Sequence, residues 1–321
     1  MKKQGLFVIR KNLPPKQRKL LSTLSFVIPI LVWCIVSYVP FVWHPMVKIT
    51  NAGDVSFFKK DMLLEKDVFA SQNSLMKSRN LKEAKGIPAN PIYLPAPHEV
   101  AISLEKSFIT PPQRIDEPWL YQSLLHSIGI IFWGFVISSV LGVPLGILCG
   151  TYKFFSNLIE PFIGYFRYLP APVFGALAVA VLGIDDGPKI AIIFIGTFFQ
   201  QVLVIANTTR KLDISLIEAA QTLGAKKMMI IKTVIIPGIL PDLYRDMRIL
   251  LGWAWTYLIV AEVVGTSSGI SWFINQQAKY RNFEQVYAAI ITIGLIGVFS
   301  DMILAKVGRS LFYWENHDEK K

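Results

Sequence analysis

Two charged side chains, Arg167 and Glu262, lie inside long apolar stretches of this chain. A charge near the centre of a lipid bilayer costs on the order of 3 kcal/mol or more, so each of them needs an explanation. Arg167 is placed either to attract an anion, to pair with Glu262 or another carboxylate, or to extend toward the nearer membrane interface. Glu262 lies near the end of its apolar stretch, which favours a role in packing or gating.

Several aromatic residues and prolines surround these two charges. The further candidates in this group are Tyr168, Pro170, Pro172, Trp255 and Ile259. Trp255, Ile259 and Glu262 follow one another at helical spacing and are expected to share a helix face. An aromatic side chain in such a pattern serves packing more commonly than solute binding. The group therefore indicates a candidate pathway for a solute, and gives no sign of bond chemistry.

A second group of residues lies in a polar segment between two apolar stretches. Its candidate functional residues are Glu218, Ala219, Ala220, Leu223, Gly224, Ala225 and Pro237. The Glu-Ala-Ala sequence favours a helix, with Asp213 or Ser215 as its N-cap. Gly224 permits a left-handed turn, and Pro237 is expected to limit a second helix. The segment predicts a helix–turn–helix element at a membrane surface.

Motifs of the common catalytic sites do not occur in the sequence. There is no Gly-x-x-x-x-Gly-Lys-Ser/Thr phosphate loop, no His-Glu-x-x-His and no Gly-x-Ser-x-Gly. The two cysteines, Cys34 and Cys149, lie in apolar runs without the spacing of a metal or redox site. We expect no enzymatic activity, bound cofactor or metal in this chain.

The composition is that of a protein with several membrane spans. Of the 321 residues, 53% are hydrophobic and only 17% are charged, and the mean hydropathy is +0.45. The net charge of +11 comes mainly from the N-terminal tail, one long loop and the Glu-Ala-Ala segment. This distribution indicates membrane topology rather than nucleic-acid binding.

The hydropathy pattern predicts an all-α membrane protein with six transmembrane helices. The predicted spans are 20–43, a part of 120–151, 162–184, 190–209, 249–266 and 286–304. The third is interrupted by Arg167, Pro170 and Pro172. The first exceeds the length of a signal-peptide core and is expected to remain uncleaved. In the second, Gly142, Gly146 and Gly150 form a stripe that suits close helix packing. Residues 267–285 are expected to form an outer loop that is partly helical and re-entrant.

The basic residues orient these spans. The tail 1–19 and the segment 210–245, both basic, are expected in the cytoplasm, as is the tail 310–321. Residues 44–119 then lie outside, either as a small folded elaboration or as an extended loop. Residues 120–309 form a five-helix core, with the Glu-Ala-Ala segment between the fourth and fifth spans.

The spacing from Glu218 to Pro237 resembles the cytoplasmic EAA loop of permease subunits of bacterial ABC importers. The Leu94–Val100 and Gly142–Gly146 stretches, and Arg167 with its following prolines, are similar to the branch that serves nitrate, bicarbonate, taurine and other sulfonates. Tyr168 replaces a proline of that branch. The insertion at about 46–90 departs from its short-looped members.

The resemblance implies separate partner proteins for ATP hydrolysis and for solute capture. The loop would form a coupling helix on a separate ATPase subunit, which binds ATP and Mg²⁺. A second permease copy or a paralogue, an extracytoplasmic solute-binding protein and membrane lipid complete the assembly in the bacterial inner membrane. Glu218 would pair with an arginine of the ATPase or interact only with its own helix dipole.

The resemblance implies a small anion as the substrate. An amino acid or a thiamine-precursor pyrimidine is the alternative within the family. An ion-driven secondary transporter would predict inverted repeats and leaves the EAA loop unexplained. A membrane enzyme would require a catalytic constellation, which the sequence does not contain.

Overall fold

The computed structural model describes residues 13–39, 41–112, 118–264 and 268–314. The chain divides into two compact units. An N-terminal unit comprises residues 1–106 together with Tyr280–Ala288, and a helical unit comprises Ser107–Lys279 with residues 289–321. The basic residues of the tail before position 13 lie outside the described residues.

The N-terminal unit contains a long apolar helix followed by a small α/β module. Its elements are α1 (Pro15–Tyr38), β1 (Met46–Asn51), β2 (Leu63–Glu65), α2 (Lys66–Ser78), β3 (Lys85–Ala89) and α3 (Pro97–Ile109). The strands form an antiparallel sheet in the order β2-β1-β3. Val47 on the central strand faces Leu64 on one side and Pro88 on the other.

The module of residues 46–89 has a hydrophobic core of its own. Ile49, Val55, Phe58 and Ala84 are buried, and Phe69 of α2 packs against them. The Phe58 and Phe69 rings stack with 6.1 Å between their centroids, a distance typical of aromatic pairs. This region is therefore folded, and the all-α expectation is wrong here, because alternating apolar residues in β1 provide a sheet face to bury.

The helical unit consists of long helices and short connecting ones. Its elements are α4 (Leu120–Thr151), α5 (Lys153–Phe166), a 3₁₀ turn (Ala171–Phe174), α6 (Gly175–Leu182), α7 (Asp186–Arg210), α8 (Ile214–Thr222), α9 (Lys227–Ile230), a π turn (Ile231–Ile235), α10 (Ile236–Val264) and α11 (Ile270–Lys279). Helix α12 (Phe283–Leu311) begins in the N-terminal unit and continues here.

Four described helices, α1, α4, α7 and α12, are long and apolar enough to cross a membrane. The pair of α5 and α6 counts as a fifth if it is one span, although it bends by 84°. The break lies at Arg167 and Pro170, where the sequence predicted an interruption of the third span, and the expected loop before this span is helical. The expected fifth span lies in α10, which begins much earlier than residue 249 and adjoins residues outside the described part.

Helix α4 packs against α7 along a line of small residues. A Cβ added to Gly146 would lie 2.8 Å from the Ile205 Cβ, and one added to Gly150 would lie 2.4 Å from the Thr209 Cβ. The same line contains Ser138, whose hydroxyl donates to the Gln201 side chain at 2.7 Å. Without side chains at the glycines, the two backbones approach closely, which explains the four-residue spacing in the sequence.

Candidate functional site

Helix α8 carries the Glu-Ala-Ala sequence and is capped at its first turn. The Asp213 carboxylate accepts a hydrogen bond from the Ser215 backbone N–H at 3.0 Å. This bond stabilises the charged form and holds the pKa of Asp213 below its ordinary value. Of the two N-caps that the sequence offered, the structure uses Asp213.

The other end of α8 is closed by a Schellman motif. Ala225 N–H donates to the Ala220 carbonyl at 3.0 Å, and Gly224 N–H donates to the Gln221 carbonyl at 2.9 Å. Gly224 has φ of 80° and occupies the left-handed position of this motif. The spacing from Ala220 to Gly224 is therefore explained by helix termination, as expected for Gly224.

The two faces of α8 have different surroundings. Ile217 and Ala220 point inward and pack with Ala225 against the buried Ile230 and Ile231. Glu218, Ala219 and Gly224 are exposed, and Leu223 is 88% exposed. The segment Asp213–Pro237 is called the EAA segment below. One face of its helix α8 thus packs against other residues of the same segment. The helix leaves an acidic and apolar face that none of the described residues covers.

The expectation that Pro237 limits a helix is wrong. Pro237 lies in the first turn of α10, where its missing N–H is tolerated. Immediately before it the chain makes a π turn, in which Ile236 N–H donates to the Ile231 carbonyl. The wider turn accommodates the proline ring, which would otherwise clash with the carbonyl four residues earlier.

Arg167 lies at the break between α5 and α6. It is the C-cap residue of α5 and is exposed. Its guanidinium donates to the Tyr168 hydroxyl at 2.9 Å and lies 4.8 Å from the centre of that ring. Pro170 and Pro172 begin the 3₁₀ turn that follows. The candidate pathway residues 167–172 therefore form one connected, bent segment.

Glu262 does not pair with Arg167 in the described residues. Its carboxylate accepts hydrogen bonds from the Ser127 hydroxyl of α4 and from the Ser271 backbone N–H of α11, the latter at 2.6 Å. Glu262 is only 1% exposed. It connects α10 to the first turn of α11 and lies beside Gly269.

A polar cluster that the sequence did not indicate lies next to Glu262. The Lys189 ammonium donates to Asp186 at 2.9 Å and to Ser268 at 2.7 Å, and is 1% exposed. His126 lies 3.0 Å from both Asp186 and Ser268. In the sequence, Lys189 ends the short polar stretch between the predicted spans 162–184 and 190–209.

Trp255 and Glu262 have different surroundings. Trp255 lines a groove of about 340 Å³ beside Gly252 and Gly294, which also contains the Arg248–Asp301 ion pair at 2.7 Å. Ile259, which was expected on the same face, is 52% exposed. The face buried inside the helical unit is instead formed by Ala254, Leu258 and Ala261.

The architecture is also found in a solved ABC transporter. One similar structure is that of inward-facing conformations of the MetNI methionine ABC transporter. It is 18% identical, with a TM-score of 0.54, covering 60% of this chain and 95% of that chain. At this identity the similarity concerns the fold.

Sequence comparison gives the family. Residues 142–313, more than half of the chain, match the family model described as binding-protein-dependent transport system inner membrane component. A probable ABC transporter permease protein of Brucella abortus is 34% identical, over 61% of this chain and 78% of its own length. A putative aliphatic sulfonates transport permease protein of Bacillus subtilis is 32% identical, over 58% and 67%. The taurine transport system permease protein of Escherichia coli is 28% identical, over 70% and 81%. The chain belongs to the family of binding-protein-dependent transport system inner membrane components.

Proposed function

We propose that this chain is the permease subunit of an ABC importer for a small sulfonate or a similar anion. A separate ATPase subunit binds ATP and Mg²⁺, and an extracytoplasmic binding protein delivers the solute. A second permease, identical or paralogous, completes the path. The single observation that carries the proposal is the capped α8, exposed on its Glu218 face, within a chain of this family.

The EAA segment is proposed as the coupling element. Docking requires a rigid helix with an uncovered surface, and α8 has a cap at each end and its Leu223 side chain exposed. Glu218 is the fifth residue of α8, beyond the first turn. A helix dipole acts mainly within the first turn, so an ion pair with a partner explains Glu218 better than its own dipole does.

We propose six spans with both termini in the cytoplasm. The broken pair α5 and α6 is the third span, and the final part of α10 is the fifth. Residues 44–119 then lie outside, and α8 lies inside. Basic residues such as Lys226 and Lys227 flank α8, as expected for a cytoplasmic loop.

The substrate class is proposed from the named relatives and from Arg167. Two relatives carry sulfonate or taurine in their names. Arg167 is exposed at a helix break, where Tyr168 is its one side-chain partner among the described residues. A planar guanidinium matches an oxyanion through parallel hydrogen bonds. We therefore assign Arg167 to anion binding in the pathway.

The coupling proposal is tested by a charge reversal in the complete transporter. Glu218→Lys in proteoliposomes with the ATPase and binding protein should lower solute-stimulated ATP hydrolysis at least tenfold, because the docking pair is lost. The matched control is Glu105→Lys, an exposed acid on α3, which should leave the rate unchanged. Normal hydrolysis and normal ATPase binding with Glu218→Lys would contradict the proposal.

The transport proposal is tested separately. ATP-dependent uptake of labelled taurine and an alkanesulfonate into the same proteoliposomes should fall strongly in Arg167→Leu, while ATPase assembly stays intact. Equal uptake with and without ATP would exclude an ABC importer. Equal uptake by the Arg167→Leu variant and the unchanged chain would show that Arg167 does not bind the anion in the pathway.

A further inference from the structure

The N-terminal unit contains a cavity of about 540 Å³. Ser37 and Tyr38 at the end of α1 line it, together with residues of β1 and β3, the start of α3 and the turn before α12. A volume of this size suits a small-molecule site. It contains none of the residues assigned above to coupling or to the anion pathway.

The wall of the cavity carries charges of both signs. Arg281 and Glu284 lie three positions apart on one side, and Lys48 and Asp61 form an ion pair at 3.5 Å elsewhere on it. In the described part of the chain, the side chains of Arg281 and Glu284 have no recorded ion-pair partner. One cation and one carboxylate are thus available to a solute.

Two of these charged residues are held in a strained backbone conformation. Asp61 has φ of 67° and Arg281 has φ of 60°. Left-handed conformations are uncommon for residues other than glycine and persist where the surrounding structure imposes them, often at binding sites. Both residues line the same cavity, so these backbone conformations help to set where their side chains lie in it.

Buried polar groups of the lining retain unused hydrogen-bonding capacity. His44 is 8% exposed, and its Nε2 lies 3.1 Å from the Ser37 carbonyl. Because a carbonyl only accepts, Nε2 donates and the neutral ring keeps an acceptor at Nδ1. His44 Nδ1, Ser37 Oγ and Asn90 Oδ1 are all buried, and no hydrogen-bond partner for them lies among the described residues.

His98 is held beside Tyr38. The Tyr38 hydroxyl accepts from the His98 backbone N–H at 3.3 Å and lies 2.7 Å from the His98 Nδ1. The Tyr38 hydroxyl and the His98 ring are therefore held together by two contacts. Tyr38 and His98 both line the cavity, so the His98 ring has a fixed position in its wall.

We propose that this cavity binds a small zwitterion that carries an acidic group and an amino group, such as an amino-sulfonate or an amino acid. Arg281 binds the sulfonate or carboxylate, and Glu284 binds the ammonium group. The residues Ser37, His44 and Asn90, which carry the unpartnered polar atoms, line the same cavity. The site is additional to the translocation path and does not depend on the proposed transport activity.

The histidines allow a direct test, because the chain has only four. The full chain, with ring-labelled histidine and in nanodiscs without ATP, is titrated with taurine and followed by NMR. Taurine should shift the His44 and His98 ring signals in a saturable way and leave His126 unchanged. Ethanesulfonate and ethanolamine, which each carry one of the two groups, should need at least tenfold higher concentration. β-Alanine compared with taurine separates the carboxylate from the sulfonate class.

Two variants test which charged residue binds each end of the zwitterion. Arg281→Asn keeps a residue that tolerates the left-handed conformation and should raise the half-saturating taurine concentration at least tenfold. Glu284→Gln should abolish the preference for taurine over ethanesulfonate. The control Lys60→Gln removes an exposed cation that does not line the cavity and should change nothing. The proposal is overturned if taurine leaves both signals unmoved at tens of millimolar, if both half-ligands match taurine, or if Arg281→Asn titrates like the unchanged chain.

Discussion

Gly269 lies against the buried carboxylate of Glu262 at the start of α11. Its φ is 103°, and a Cβ added there would lie 2.1 Å from Glu262 Oε1. No side chain fits at this distance, so the glycine allows the Glu262 carboxylate to reach the Ser271 N–H. The connection between α10 and α11 therefore depends on one position without a side chain.

Gly269→Ala should destabilise the chain. Overpacking costs about 1–3 kcal/mol, and the left-handed backbone adds about 1–3 kcal/mol for a residue with a Cβ. We expect a lower thermal unfolding midpoint in detergent, measured by tryptophan fluorescence. The control Gly252→Ala places its Cβ in open space within a helix and should be neutral or mildly stabilising. Equal midpoints for the two variants would contradict this account.

Among helices, the contact between α4 and α7 depends on the four-residue spacing of small residues. The sequence predicted this packing correctly from Gly142, Gly146 and Gly150, because backbone proximity follows directly from the absence of side chains. It did not identify the partner helix, since Ile205 and Thr209 on α7 are ordinary apolar and small polar residues. Their role appears only when the two helices are aligned.

Gly146→Ala should separate α4 from α7. The new Cβ would meet Ile205 Cβ at 2.8 Å and the Val202 carbonyl oxygen at 2.9 Å, and the backbone atom cannot rotate away. The expected loss is about 1–3 kcal/mol of stability, visible as a lower unfolding midpoint in detergent. Gly129→Ala, on the same helix with nothing within 4 Å, is the matched control. A midpoint unchanged by Gly146→Ala would show that the helices adjust without cost.

Breaks in helices were harder to anticipate from the sequence than the helices themselves. Pro170 and Pro172 signalled an interruption, but not a bend of 84° between α5 and α6. Pro237 signalled a helix end, whereas the chain continues through a π turn into α10. A proline removes one N–H donor in each case, and the surrounding packing decides whether the backbone ends, bends or widens.

For the whole molecule, the sequence predicted those features that depend on a single local pattern. Long apolar runs indicated a membrane protein, and Asp213 and Gly224 predicted the two ends of α8. The module of residues 46–89 was undecided, because its short strands carry few apolar residues, and its core joins distant positions such as Ile49 and Ala84. The cluster of Lys189, Asp186 and His126 was missed for the same reason, since α4 and α7 meet only in the folded chain.

The module should respond to damage in its own core. Phe58→Ala removes a buried ring that stacks on Phe69, a change that costs about 3–5 kcal/mol in a packed core. Limited proteolysis, read by mass spectrometry, should show faster cleavage within residues 46–89 and continued protection of α4 and α7. The exposed Phe57→Ala is the control. Equal cleavage of both variants would mean that the module is not held by this core.

The π turn at Ile231–Ile235 sets the rotational phase of α8 relative to α10. A π turn contains one residue more than an α turn, and each residue of an α-helix advances the chain by about 100°. Deleting Thr233 should convert the turn to regular helix and swing the Glu218 face by about a quarter of a revolution, without removing any contact residue. Solute-stimulated ATP hydrolysis should then fall in a chain that still inserts, whereas the length-preserving Thr233→Ala should keep it. Full activity after the deletion would mean that the angle at which α8 is presented does not matter to its partner.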